Sequence, residues 1–124
     1  MAGEGAYGFT GLVHLLPLVG VVGRTALERA YGVELGPGQD LVILMQHRAM
    51  LFGLMALACF LAIPVPVWRV PAGAAALVSM LGFVLLVNLQ AHNAAIARAM
   101  WVDGVGAVVL GLVMLAHIRA SEGF

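Results

Sequence analysis

Four long apolar segments follow one another along this chain, separated by short connections rich in polar residues, glycine or proline. They occupy roughly residues 7–23, 41–63, 70–89 and 99–118. A helix needs about 20 apolar residues to cross a hydrocarbon core of about 30 Å, so each of the last three segments is long enough to span a bilayer. The first is shorter and contains Pro17, which predicts a kink, and it spans if it tilts or continues toward residue 30.

The connections between these segments set their relative directions. Residues 32–40 (GVELGPGQD) form a Gly/Pro-rich loop, three prolines lie within residues 64–71, and residues 90–93 predict a tight polar turn. Because short connections force neighbouring helices to run antiparallel, we expect an all-α fold, an integral-membrane up-down-up-down four-helix bundle. Residues 1–124 are expected to form a single domain.

Composition supports a membrane location. The chain of 124 residues is 63% hydrophobic and 10% charged, with a mean hydropathy of +1.06, whereas soluble domains are about 45–50% apolar and about 25% charged. We therefore expect a multi-pass integral membrane protein, and a bacterial inner membrane is the expected location. The net charge is zero and there is no lysine, so no basic surface for nucleic acid is expected.

A polar triplet, Gln46, His47 and Arg48, interrupts the second apolar segment. A charged side chain at the centre of a membrane helix costs about 2.5–3.5 kcal/mol on insertion scales. Three consecutive residues on a helix point in different directions, so at least one should face the bundle interior. Asp103 in the fourth segment is the candidate ion partner of Arg48, since the two lie about 6–10 Å inside their segments at 1.5 Å rise per residue.

An antiparallel bundle gathers these polar residues near one membrane face and predicts a polar pocket that opens there. The ligand-binding candidates are Gln46, His47, Arg48, Asn88, Asp103 and His14. His47 and Asp103 are also the candidates for acid–base catalysis. The alternative interpretation is structural: His47 and Arg48 extend to the interface, and His14 is a core histidine whose hydrogen bonds are satisfied.

Local motifs for known chemistry are absent from the sequence. There is no Gly-rich phosphate loop, CxxC pair, HExxH or GxSxG. Four histidines on helices raise the question of haem ligation, but they fall at unequal depths. A metal site built from His47, His92 and Asp103 has no supporting local spacing. No cofactor and no metal are therefore expected.

Five segments carry a resemblance to a known group of proteins. They are GLVHLLPLVGVVG (11–23), ERAYGV (28–33), LVILMQHRAMLFGLM (41–55), LVSMLGFVLL (77–86) and WVDGVG (101–106). With these the chain resembles small bacterial four-span membrane proteins that are DoxX-like in general layout. Such proteins often carry the label phosphopantetheine adenylyltransferase, but the HxGH motif of the soluble enzymes is absent here. The resemblance implies a four-helix membrane fold and no established reaction.

Three functions are compatible with this pattern. The first is binding of a lipophilic small molecule or membrane lipid, with Arg48 anchoring an oxygen of the ligand. The second is an integral-membrane enzyme of isomerase or cyclase type, in which His47 or Asp103 moves a proton and Arg48 stabilises negative charge. The third is a structural or accessory subunit that docks a partner. The lateral surface of four short spans is also compatible with a homodimer.

Overall fold

The computed structural model describes residues 2–122, which form helices and their connecting loops, with no strand among them. The elements are α1 (Ala2–Leu15), a 3-10 helix (Leu16–Val22), α2 (Arg24–Tyr31), α3 (Asp40–Leu61), a 3-10 turn (Pro66–Trp68), α4 (Arg69–Leu89) and α5 (Ala94–Glu122). Four segments are long and apolar enough to cross a membrane: Gly3–Val22, Asp40–Leu61, Pro66–Leu89 and Ala94–Glu122. The predicted all-α, four-helix fold is confirmed, and the chain is a multi-pass helical membrane protein.

The four spanning segments pack around a square. Helix α1 lies between α3 and α5, and α4 closes the square by packing against α5 and α3. Among the described residues, α3 and α5 do not approach each other closely, so they face one another across the diagonal of the bundle. Any side chains that meet between these two helices must do so across its interior.

The first span changes helix type at its proline. Residues Leu16–Val22 form a 3-10 helix that includes Pro17. Proline has no backbone N–H to donate, and its ring clashes with the preceding turn, so the regular α-helical hydrogen bonds are interrupted there. At Gly23 the chain adopts φ 153°, a conformation that favours glycine. The first helix therefore does not continue to residue 30, and α2 is a separate element.

Helix α2 and the loop that follows it cover the end of the bundle at which α3 and α5 begin. Leu27 is fully buried and packs in a small cluster with Leu35 and Val42. Gly32 terminates α2 in the left-handed conformation, and its N–H donates to the Glu28 carbonyl. The Arg24 guanidinium donates to the carbonyls of Gly36 and Gly38, so the loop is tied to α2.

The main hydrophobic core lies toward the opposite end of the bundle. It contains mostly small side chains around Met80 and Leu110: Ala6, Tyr7, Cys59, Ala62, Ala72, Ala76, Ala107 and Met114. Small residues let helices approach closely, which drives their association in lipid. Large side chains such as Leu54, Val78 and Leu112 are exposed on the outer surface, as expected for contact with acyl chains.

Candidate functional site

A cavity of about 130 Å³ lies inside the half of the bundle that α2 covers. It is lined by Val13, His14, Leu16, Pro17, Tyr31, Arg48, Phe52, Phe83, Ala99, Val102 and Asp103. All five helices and the first 3-10 segment contribute to this wall. The close packing of small residues at the other end of the bundle does not extend here, and α3 and α5 remain apart. The result is an apolar cavity with four polar side chains.

Arg48 lies among aromatic rings. Its Nη1 donates to the Tyr31 hydroxyl at 3.2 Å. The guanidinium carbon is 4.8 Å from the centre of the Phe52 ring, 5.5 Å from that of Tyr31 and 5.9 Å from that of Phe83. Arginine is favoured over aromatic faces because the ring quadrupole attracts its positive charge. Three rings and one hydroxyl thus stabilise a cation within a membrane span.

The predicted ion pair between Arg48 and Asp103 is not formed. The ion pair found among residues 2–122 joins Arg69 Nη2 to Glu4 Oε1 at 3.7 Å, at the other end of the bundle. Arg48 is on α3 and Asp103 on α5, the two helices that face each other across the diagonal, so the cavity lies between their charged groups. Both residues line one cavity, but a similar depth along two helices does not specify the distance across the bundle.

Both charged groups have unused hydrogen-bonding capacity. A guanidinium has five N–H donors, and within the described chain only the bond to Tyr31 uses one of them. The Asp103 carboxylate lines the same cavity and accepts no hydrogen bond from any described residue. No buried side-chain nitrogen or oxygen in residues 2–122 is left without a partner, so the free atoms of Arg48 and Asp103 are not fully buried.

His14 lines the cavity, and both of its ring nitrogens form hydrogen bonds. It is 2% exposed. Nδ1 lies 2.9 Å from the Thr10 carbonyl oxygen and Nε2 lies 3.2 Å from the Ser79 hydroxyl oxygen. Because a carbonyl only accepts, Nδ1 carries a proton and donates it to Thr10. In its neutral form the imidazole is therefore held as one tautomer, with Nε2 accepting from the Ser79 hydroxyl.

Three candidates from the sequence do not line this cavity. Gln46 donates to the Val21 carbonyl at 3.0 Å and ties α3 to the end of the first span. His47 is exposed on the outer side of α3. Asn88 is exposed and donates to the Val84 carbonyl of its own helix at 2.8 Å. The structure thus brings together His14, Arg48 and Asp103, and leaves the other three outside.

A second cavity of about 300 Å³ adjoins the first beneath the loop after α2. The two share Tyr31, Arg48 and Phe83, which form the partition between them. The remaining wall of the second cavity is lined by Val33, Glu34, Leu35, Leu41, Met45 and Ile96. Arg48 is therefore exposed to both spaces.

Sequence reasoning missed the aromatic residues around Arg48. One signal was available: Phe52 is four residues after Arg48, so the two share a helix face. Tyr31 had no such signal, because it reaches Arg48 only after the chain turns back between α2 and α3. Phe83 comes from α4, and only the packing of α4 against α3 places it there.

Nothing in the described chain adds a metal centre, since no group of three or more His, Cys, Asp or Glu side chains in residues 2–122 is placed to hold a metal ion. Comparison with known proteins finds no matching family model, curated protein or solved structure. The fold and site together define a four-helix membrane protein with a partly open, largely apolar cavity lined by one arginine and one aspartate.

Proposed function

We propose that this protein binds a lipophilic small molecule or membrane lipid in the cavity between α3 and α5, with Arg48 holding an oxygen atom of the ligand. The observation that carries the proposal is the position of Arg48. It lines both cavities, has free N–H donors, and lies more than 4 Å from every carboxylate of the described residues. Its charge is therefore not neutralised by an ion pair, and the unused N–H groups are available to a ligand.

The character of the walls supports a lipophilic ligand. Seven of the eleven lining residues of the first cavity are apolar, and they include Phe52 and Phe83. Binding sites for small molecules have this composition, with apolar walls and a few convergent polar groups that orient the ligand. A hydrocarbon ligand gains about 25 cal/mol per Å² of apolar surface removed from water, but little when it arrives from lipid. Affinity must then come from the polar contacts at Arg48.

Native mass spectrometry of protein extracted in a mild detergent tests the proposal. We expect an adduct of lipid mass on the wild-type protein that is lost in Arg48→Ala. Arg119→Ala is the matched control, since Arg119 is exposed near the end of α5 and lines neither cavity. An adduct that survives Arg48→Ala unchanged, or a wild-type protein that carries no lipophilic molecule, contradicts the proposal.

An enzymatic role is the second candidate, and one observation favours it. The Asp103 carboxylate and the Arg48 guanidinium line the same cavity, so a proton acceptor and an oxyanion-stabilising group border one space. In this version Asp103 moves the proton, because His47 lies on the outer surface. Conversion of the co-purified molecule to an isomer on incubation with wild-type protein, but not with Asp103→Asn, supports an enzyme. An accessory subunit instead predicts a protein partner that is lost on Arg48→Ala.

Kinship with DoxX-like proteins and a location in a bacterial inner membrane are also proposals. What supports the kinship is the distribution of the five similar segments, because each of them contributes at least one residue to the cavity wall. The residues concerned are His14, Tyr31, Arg48, Phe83 and Asp103. A solved structure of a DoxX-like protein with a cavity between the corresponding helices would support it.

A further inference from the structure

We infer that the ligand is an uncharged single-chain lipid whose small head group carries both a hydrogen-bond acceptor and a hydroxyl donor. This rests on the proposed function and specifies its ligand. Arg48 offers only donors, and the Asp103 carboxylate offers only acceptors. Because both line one cavity without a direct ion pair, a head group that satisfies both must accept on the Arg48 side and donate on the Asp103 side.

The Asp103 carboxylate disfavours an anionic head group. The first cavity is lined by one basic and one acidic side chain, Arg48 and Asp103. A carboxylate or phosphate attracted by Arg48 would share this small space with Asp103. Like charges brought together without solvent cost several kcal/mol. A neutral head group that donates to Asp103 incurs no such cost.

The size of the cavity limits the head group. A cavity of roughly 150 Å³ holds a benzene-sized molecule, with about six heavy atoms, and the cavity here is about 130 Å³. A glyceryl group, with three carbons and three oxygens, has that size and carries hydroxyl donors beside acceptor oxygens. A glycerophosphate head group is larger and charged. The lipid class that fits is therefore a monoacylglycerol or a lipid with a comparable diol head group.

The second cavity can accommodate the part of the acyl chain that adjoins the head group. Apart from Glu34 and the partition residues, its wall carries the apolar residues Val33, Leu35, Leu41, Met45 and Ile96, and it adjoins the first cavity at the partition. At about 300 Å³ it is more than twice as large. In this proposal the acyl chain extends from a head group between Arg48 and Asp103 into this space, past the residues that line both cavities.

Equilibrium binding of two probes with the same acyl chain, 1-monooleoylglycerol and oleate, to detergent-solubilised protein near pH 7.5 tests the inference. We expect wild-type protein to bind monooleoylglycerol at least about tenfold more tightly than oleate. Asp103→Asn should remove this preference by strengthening oleate binding, and Arg48→Gln should weaken binding of both probes. Asp40→Asn is the control, because Asp40 is exposed at the start of α3 and lines neither cavity.

The outcomes separate the inference from the function on which it rests. Equal or tighter binding of oleate by the wild-type protein overturns the inference but leaves a lipid-binding function intact. Binding of neither probe, while another lipophile co-purifies in an Arg48-dependent manner, also rejects only the ligand class. Binding of neither probe by a protein that carries no lipophile rejects both. Thermal unfolding of each variant establishes that loss of binding is not loss of fold.

Discussion

The guanidinium carbon of Arg48 lies 4.8 Å from the centre of the Phe52 ring, one helical turn further along α3. Residues four apart on a helix share a face, so the same helix that carries the charge into the membrane also supplies an aromatic surface for it. Tyr31 and Phe83 complete the surroundings from α2 and α4. The positive charge is thus stabilised without a carboxylate in contact, which leaves its free N–H donors available to a ligand.

A double-mutant cycle tests the absence of an Arg48–Asp103 ion pair. Arg48→Leu, Asp103→Leu and the double variant should give a coupling energy of no more than about 1 kcal/mol, because the two groups lie across the cavity. Breaking a buried ion pair by removing one partner costs about 3–5 kcal/mol, much of which the second substitution recovers. Unfolding of the four proteins in detergent measures the coupling, and recovery on that scale would show that the pair forms.

Two histidines on neighbouring helices should respond differently to removal. His14→Ala deletes a buried ring and both of its hydrogen bonds, so we expect a loss of about 2–4 kcal/mol in the free energy of unfolding. His47→Ala removes an exposed side chain that lines neither cavity and should change stability and lipid binding little. Thermal unfolding and the native mass spectrum report the two effects. A marked loss of bound ligand in His47→Ala would show that His47 contributes to the binding site.

Two glycines on α4 form a matched pair. A Cβ at Gly73 would lie 2.5 Å from Met114 Sδ and 2.9 Å from the Tyr7 hydroxyl, which is itself bonded to the Arg69 carbonyl. Gly73→Ala should therefore destabilise the bundle by about 1–3 kcal/mol. A Cβ at Gly82 would meet nothing within 4 Å, so Gly82→Ala should stabilise by about 0.4–1 kcal/mol. Similar melting temperatures for the two variants would argue against the close contact of α4 with α1 and α5.

Asn93 connects the start of α5 to the end of α2. Its Oδ1 accepts from the Ile96 N–H at 2.9 Å, while its Nδ2 donates to the carbonyls of Tyr31 and Gly32 at 2.8 and 2.9 Å. Asn93→Ala should lower the free energy of unfolding by about 0.5–2 kcal/mol. It should also loosen the loop after α2, which lies over the second cavity. Limited proteolysis within residues 32–39 measures that release. His92→Ala is the control, since His92 is exposed and its side chain bonds only to the Gln90 carbonyl; equal cleavage of both variants would contradict the role of Asn93.

The chemistry of the candidate site could be predicted only in part from the sequence. The cost of a charge in hydrocarbon pointed to Arg48 and Asp103, and both line the cavity. The same reasoning selected Gln46 and His47 because they adjoin Arg48 in the chain. Neighbouring residues on a helix are about 100° apart around its axis, so when Arg48 faces the cavity, His47 faces outward.

The sequence by itself determined the class of protein, the number of spanning helices and their alternating directions. These follow from local properties, namely the length of each apolar segment and the shortness of each connection, which the bilayer converts directly into structure. Tertiary structure alone decided which helices lie diagonally opposite, and therefore that a cavity rather than an ion pair separates Arg48 from Asp103. It also decided that Tyr31 reaches Arg48. Such contacts depend on helix rotation and on the path of the loop after α2, which packing between distant residues sets.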